Sequence, residues 1–187
     1  TIIDPVLDYD EASASVSTAS ADNVVRYVQE NSLRVDYILE THVHADHLSG
    51  AHYLRRHLGG LVGIGAEITG VQSTIAEIYS DSSSLARNGS QFDVLLEDEH
   101  RLAFGSLDIR VLHVPGHTPG CVAYLIGDAL FAGDTLFMPD SGTARCDFPG
   151  GDARRLYRSI QRLLGLADTT RVFVCHDYQP NGRSLQY

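Results

Sequence analysis

Three histidines and one aspartate fall within six residues, His42-Val43-His44-Ala45-Asp46-His47. Imidazole nitrogens and a carboxylate are donors for divalent metals of borderline hardness: zinc, iron, manganese or nickel. The spacing is part of the signal. His42 and His44 stand two apart, so on extended backbone their side chains share a face, while Asp46 and His47 turn toward a neighbouring position. The array directly follows residues 35–40, an apolar run that reads as a buried strand. With nine histidines in 187 residues a chance pair is ordinary, but four donors crowded at a strand end are a metal site.

Three further strand ends carry donors of the same kind. Pro115-Gly116-His117-Thr118-Pro119-Gly120 sets one histidine in a turn, Gly133-Asp134-Thr135 sets one carboxylate after a short strand, and His176 follows the last strand. A lone histidine or aspartate at any of these places reads as a surface or capping residue. Their recurrence at four strand ends does not. The candidates His42, His44, Asp46, His47, His117, Asp134 and His176 suffice for one complete site or two adjacent ones. No cysteine joins them in a ligand-like pair, which disfavours a closed structural zinc site and favours an open catalytic one.

The elements that must position these donors follow from periodicity. Residues 21–31 read as a helix with Val24, Val25 and Val28 on its buried side, and 51–58 as a short helix stopped by Gly59-Gly60. Ile68, Val71, Ile75 and Ile78 predict a third helix, and Leu156, Ile160, Leu163 and Leu164 a fourth over 152–165. Strands are expected at 1–3, 35–40, 61–64, 92–96, 101–104, 107–113, 121–126, 129–132 and 171–174, with Gly127-Asp128 as a two-residue hairpin turn. Residues 8–20, 80–91 and 133–151 read as loops, the last long enough to carry function. Mixed strands and helices with hairpins in the middle fit two sheets face to face with helices outside.

Composition bounds the function. The length and the 43% hydrophobic content fit one globular domain, and a net charge of −10 argues against nucleic acid or an anionic membrane as the main partner. No apolar run approaches the ~20 residues of a membrane span. Cys121, Cys146 and Cys175 are odd in number and widely spaced, as expected of free thiols in a reducing, cytoplasmic setting.

Taken together, His-x-His-x-Asp-His, Pro-Gly-His-Thr, Gly-Asp-Thr and a late strand-end histidine resemble the metallo-β-lactamase superfamily over nearly the whole chain. The resemblance implies an α/β (α+β) fold, a four-layer αββα sandwich of two mixed β-sheets with metals at one sheet edge. Asp134 matches the metal-ligating aspartate of the glyoxalase II-like branch, where β-lactamases carry Cys or Ser. Within that branch, Gly142-Thr143-Ala144-Arg145-Cys146-Asp147-Phe148 and Cys175-His176-Asp177-Tyr178 are similar to segments of the persulfide dioxygenases (sulfur dioxygenases), with Ala144 in place of a glycine and Cys146 of a threonine. Glyoxalase II also uses a helical C-terminal extension, and this sequence runs eleven residues past His176. The superfamily's first strands would precede Thr1, so the 1–187 domain is expected to lack them and its C-terminal end. An exposed sheet edge would then allow a homo-oligomer.

The resemblance implies one Fe(II) per chain on His42, His117 and Asp134, a 2-His-1-carboxylate set. His44, Asp46, His47 and His176 would stand behind it or remain from a second site. Glutathione persulfide and O₂ would be the substrates, sulfite and glutathione the products. Arg145 and Tyr178, with Asp46 and Asp177, are the candidates for orienting site or substrate; Arg145 has the competing reading of a partner for Asp147 or Asp177. Arg183 is either a partner for a substrate carboxylate or merely solvated. Cys146 reads as a small residue packed under its loop, with sulfur relay as the other role. The alternative is a dinuclear zinc thioester hydrolase, with one or two Zn(II): His42, His44 and His117 on one ion, Asp46, His47 and His176 on the other, and Asp134 shared. A non-catalytic metal-binding protein is a third reading, and a nuclease the last.

Overall fold

The computed structural model describes residues 1–79 and 86–185, so residues 80–85 of the loop read over 80–91 lie outside the described residues. The first half of the chain runs β1 (Ile2–Ile3), β2 (Val6–Asp10), β3 (Ser15–Ser17), α1 (Ala19–Glu30), β4 (Tyr37–Leu39), β5 (Leu48–Ser49), α2 (Ala51–Leu58), β6 (Leu61–Gly65) and α3 (Ile68–Tyr79). The second half continues with β7 (Val94–Leu96), β8 (Arg101–Phe104), β9 (Leu107–His113), β10 (Val122–Ile126), β11 (Ala129–Phe131), α4 (Ala153–Leu164) and β12 (Arg171–Phe173).

Two main sheets form. One has the order β1-β4-β6-β7 with parallel neighbours throughout; the other has the order β12-β11-β10-β9-β8, antiparallel except for β11 and β12. Alternation along each strand divides its side chains between two layers. On β9 and β10, Ile109, Val111, Val122 and Tyr124 meet Leu39 and Leu96 of the facing sheet, whereas Leu112 and Ala123, with Cys121 just before β10, turn outward to Leu163 of α4. On the other side, Ile38 and Val62 pack under Ala21 and Val28 of α1 and Leu54 of α2. Helices thus cover both outer faces, and the αββα sandwich is the observed architecture.

The serine-rich stretch at 8–20 differs from the expected loop. Its start is β2, which pairs with β3 and, on its other side, with β5, making a small third sheet. All three residues of β3 are exposed, so no buried alternation marked it in the sequence. The 133–151 segment is irregular as expected, apart from a 3₁₀ turn over Gly133–Thr135.

Two tethers carry this framework to the site. The wholly buried Tyr124 hydroxyl donates to the Glu40 carbonyl at 2.7 Å, and the Val122 amide donates to the Thr41 carbonyl at 2.8 Å. The second sheet therefore grips the backbone immediately before His42.

Candidate metal centre

His42, His117 and His47 are each held by a bond through Nδ1. The Asp4 carboxylate, just past β1, accepts from the Thr41 amide at 2.6 Å and the Thr41 hydroxyl at 2.8 Å. Since that hydroxyl gives its proton to Asp4, Nδ1 of His42, 2.9 Å away, is the donor to it, and Nε2 is left as a lone pair facing the centre. His117 is set the same way: Nδ1 donates to the Arg145 carbonyl at 2.7 Å. His47 donates from Nδ1 to the Leu48 carbonyl at 3.2 Å. Such bonds fix tautomer and ring orientation before a metal arrives.

The turn that carries His117 depends on Gly116. Its φ is +146°, and a Cβ there would lie 2.3 Å from the Leu156 backbone of α4. Helix α4 begins at Asp152, whose side chain accepts from the Arg154 and Arg155 amides. The Asp152 amide donates to the Gly116 carbonyl at 2.9 Å, and the Ser159 hydroxyl donates to the Pro115 carbonyl at 2.7 Å. Asp134 rides on the 3₁₀ turn after β11, where Gly133 (φ +55°) lies against the Thr41 side chain.

These placements bring the seven donors together. His42, His117 and Asp134 are all buried, with one donor atom from each within 4.8 Å of the others. Asp134 Oδ2 is 3.8 Å from His42 Nε2 and 3.6 Å from His117 Nε2. Its other oxygen, Oδ1, is 3.5 Å from His176 Nε2, which in turn is 3.4 Å from Asp46 Oδ2. His44, Asp46 and His47 form a second group within 4.8 Å.

Burial and charge shape the protonation states. Burial, then the charge of neighbouring His44, pushes His42 down to about 3, so it stays neutral. His44 goes the other way: burial alone would lower it, but bonds to Asp4 and Glu40 hold it up at about 10. Its Nε2 lies 3.2 Å from Asp4 Oδ1 and 3.4 Å from Glu40 Oε2. Burial raises Asp134 against the pull of His176 and His117, and it raises Glu40 likewise.

The donors fit a metal ion. Asp134 Oδ1 and His44 Nδ1 are buried without any hydrogen-bond partner. Unmet polar atoms of this kind cost ~1–3 kcal/mol each, and a cation held at Asp134 would satisfy its free oxygen. Imidazole and carboxylate with no thiolate suit iron or zinc alike.

A cleft of about 520 Å³ opens over the centre, lined by Asp46, His117, Asp134, Phe137, Arg145 and Tyr178 among others. Tyr178 stacks on His176 with ring centroids 5.5 Å apart and meets Phe137 edge-on. Arg145 donates from Nε and Nη2 to the two carboxylate oxygens of Asp147, its competing reading, and its guanidinium lies 5.0 Å over the Phe148 ring. Asp177 and Asp140 both accept from Arg183, which is therefore engaged in ion pairs rather than merely solvated. Cys146 is half-buried. Sequence reasoning missed Asp4 and Glu40, the two carboxylates that hold His44; Asp4 obeys the same strand-end rule as the ligands but was masked by the turn signal of Asp4-Pro5.

Comparison with known proteins agrees with this geometry. The family model for the metallo-beta-lactamase superfamily matches residues 1–176. A probable metallo-hydrolase of Burkholderia pseudomallei (strain 1710b) is 53% identical over 196 residues, spanning 100% of this chain and 67% of its own. A beta-lactamase hydrolase-like protein of Agrobacterium fabrum is 52% identical over 186 residues, spanning 100% of this chain and 43% of its own. The chain thus spans 43% to 67% of the length of these relatives. The crystal structure of ETHE1 from Myxococcus xanthus superposes with a TM-score of 0.70 at 31% identity, over 95% of this chain and 65% of that one.

Proposed function

Because this chain belongs to the metallo-beta-lactamase superfamily, we propose that it is a mononuclear Fe(II) persulfide dioxygenase acting on glutathione persulfide. The observation that carries the reading is the buried His42, His117 and Asp134 trio, a 2-His-1-carboxylate set whose histidines are both fixed through Nδ1. The motif resemblance at 142–148 and 175–178 and the likeness to ETHE1 support it.

In the overall reaction a thiol persulfide, O₂ and water give the thiol and sulfite. The terminal sulfur loses four electrons, which O₂ accepts. Fe(II) bound by the trio supplies this redox chemistry. The chain's own groups do the rest. His42 is kept neutral, so it offers a lone pair at any pH near neutrality. Phe137, Phe148 and Tyr178 wall the cleft and limit water around a reactive sulfur. Tyr178 keeps its proton, since partial burial and then the Asp134 and Asp46 charges raise it, and so it is a hydrogen-bond donor to an anionic substrate. Arg145, tied to Asp147, shapes the cleft wall through Phe148 and contributes positive charge at its mouth.

The test is O₂ consumption with glutathione persulfide on protein purified anaerobically and assayed for metal. Iron near one per chain with O₂ uptake matching sulfite release upholds the proposal. A second reading rests on Asp134 Oδ1, which faces His176 and Asp46 as a bridging carboxylate would. In that reading two zinc ions are held, and the substrate is a thioester. Two zinc ions per chain, no O₂ uptake and turnover of S-lactoylglutathione would replace the first reading with this one.

A further inference from the structure

Beside the metal donors lies a second, smaller pocket of about 240 Å³ to which the reading above gives no role. Its apolar lining comes from Val43 of the histidine loop, Val71, Ile75 and Ile78 of α3, and Phe148 and Pro149. Three of these are large apolar side chains with marked exposure: Val43 and Ile75 at 37% and Ile78 at 51%. Among the described residues no carboxylate, lysine or arginine lines it; its polar edge is His44, His117 and Thr118. His117 and Phe148 also belong to the main cleft, so the pocket opens directly onto the reacting centre. Phe148 stands edge-on against the His117 ring at 5.2 Å and forms the partition between the two spaces.

We propose that this pocket is an apolar subsite that seats the hydrocarbon arm of the substrate, so that alkyl persulfides are substrates alongside the glutathione compound. The proposal rests on the metal-centred reading above and deepens it. Exposed apolar side chains converging on a metal centre mark a binding surface, because water gains nothing from them and a hydrocarbon gains by covering them. At about 30 Å³ per water-sized group the pocket has room for roughly eight non-hydrogen atoms, about a hexyl to octyl chain. Each methylene transferred from water should raise affinity roughly fourfold. The polar tripeptide of glutathione, in contrast, belongs in the main cleft near Tyr178 and Arg145, with the reacting sulfur at the junction.

The experiment is calorimetric titration of ethanethiol, butanethiol, hexanethiol and octanethiol into the metal-loaded chain. The expected result is a gain of roughly fourfold per methylene up to about six carbons. Ile75→Asp and Ile78→Asp should flatten that gain and leave ethanethiol affinity unchanged; both positions are solvent-facing enough to accept the change without unfolding α3. A flat chain-length series in the unmodified protein, or an unaltered slope in both variants, overturns the proposal. If no thiol binds the loaded chain, the metal-centred reading fails separately. The subsite is then read in the metal-free chain by methyl NMR with 1-hexanol, which needs no metal. Shifts confined to Val43, Ile75 and Ile78 methyls uphold it, and their absence overturns it.

Discussion

Replacing Gly116 by alanine tests whether α4 builds the metal centre from a distance. The new Cβ would stand 2.3 Å from the Leu156 nitrogen and Cα, about 1 Å inside ordinary contact, and the obstacle is backbone rather than a movable side chain. Residue 116 also holds φ at +146°, a region essentially reserved for glycine, where another residue costs ~1–3 kcal/mol. Relief requires the first turn of α4 and the 115–117 turn to separate. That separation stretches the Asp152 amide to Gly116 carbonyl bond and the Ser159 hydroxyl to Pro115 carbonyl bond, each worth about 1 kcal/mol. The expected loss is about 3 kcal/mol or more, a fall in Tm of roughly 6–12 °C for a domain of this size. Because His117 moves with the turn by about 1 Å, turnover should fall ~10²-fold even where the variant is folded. Calorimetry on the metal-free protein measures the first effect, and turnover of the metal-loaded protein, with a chelator-competition titration beside it, the second. His117→Ala is the control, losing metal with little loss of fold. A Gly116→Ala protein with Tm within 2 °C of the parent and unchanged metal affinity would refute the reasoning.

Four smaller tests address other links. Tyr124→Phe leaves the Glu40 carbonyl without its buried donor and should cost about 1–3 kcal/mol in denaturant unfolding, with no bulk change to blame. Asp147, held down to about 2 by the Arg145 bond, has a folded value below its ordinary 3.8. Its contribution is therefore complete above about pH 4 and disappears as pH falls through about 2, and carboxyl NMR of the loop should show that midpoint, whereas a midpoint near 3.8 would mean the ion pair does not form. Burial pushes Cys121 up to about 11, so iodoacetamide at pH 8 should leave it unmodified in the native chain and label it after denaturation. Stripping the metal with a chelator should lower Tm, since whatever binds only the folded centre stabilises it; equal Tm with and without metal would place the ion elsewhere.

The ligands were legible in the sequence because each sits where a period-2 apolar run stops, and the topology then has only to bring strand ends to one edge. His42 follows β4 of one sheet, and His117, Asp134 and His176 follow β9, β11 and β12 of the other, so both sheets deliver donors to one edge. The hairpin of β2 and β3 was not legible, since Ser15, Val16 and Ser17 bury nothing and leave no pattern. Asp4 was not legible for another reason: its role exists only across a sheet, whereas Glu40 meets His44 locally, four residues on. Asp4 reaches Thr41 and His44 because β1 pairs with β4 in the register Ile2 to Ile38 and Ile3 to Leu39, which no local window contains. Their joint effect is large. Two carboxylates on one imidazole make His44 a cation in the metal-free chain, so its Nδ1 must give up a proton before it can donate to a metal, whereas His42 and its lone pair need no such step. The two histidines of the His-x-His pair are thus chemically unequal. His42 is a ready ligand at neutral pH, and His44 joins only where a second ion or a stronger field displaces its proton. That inequality supports the proposed one-metal reading on His42, His117 and Asp134 at a site that retains donors for two.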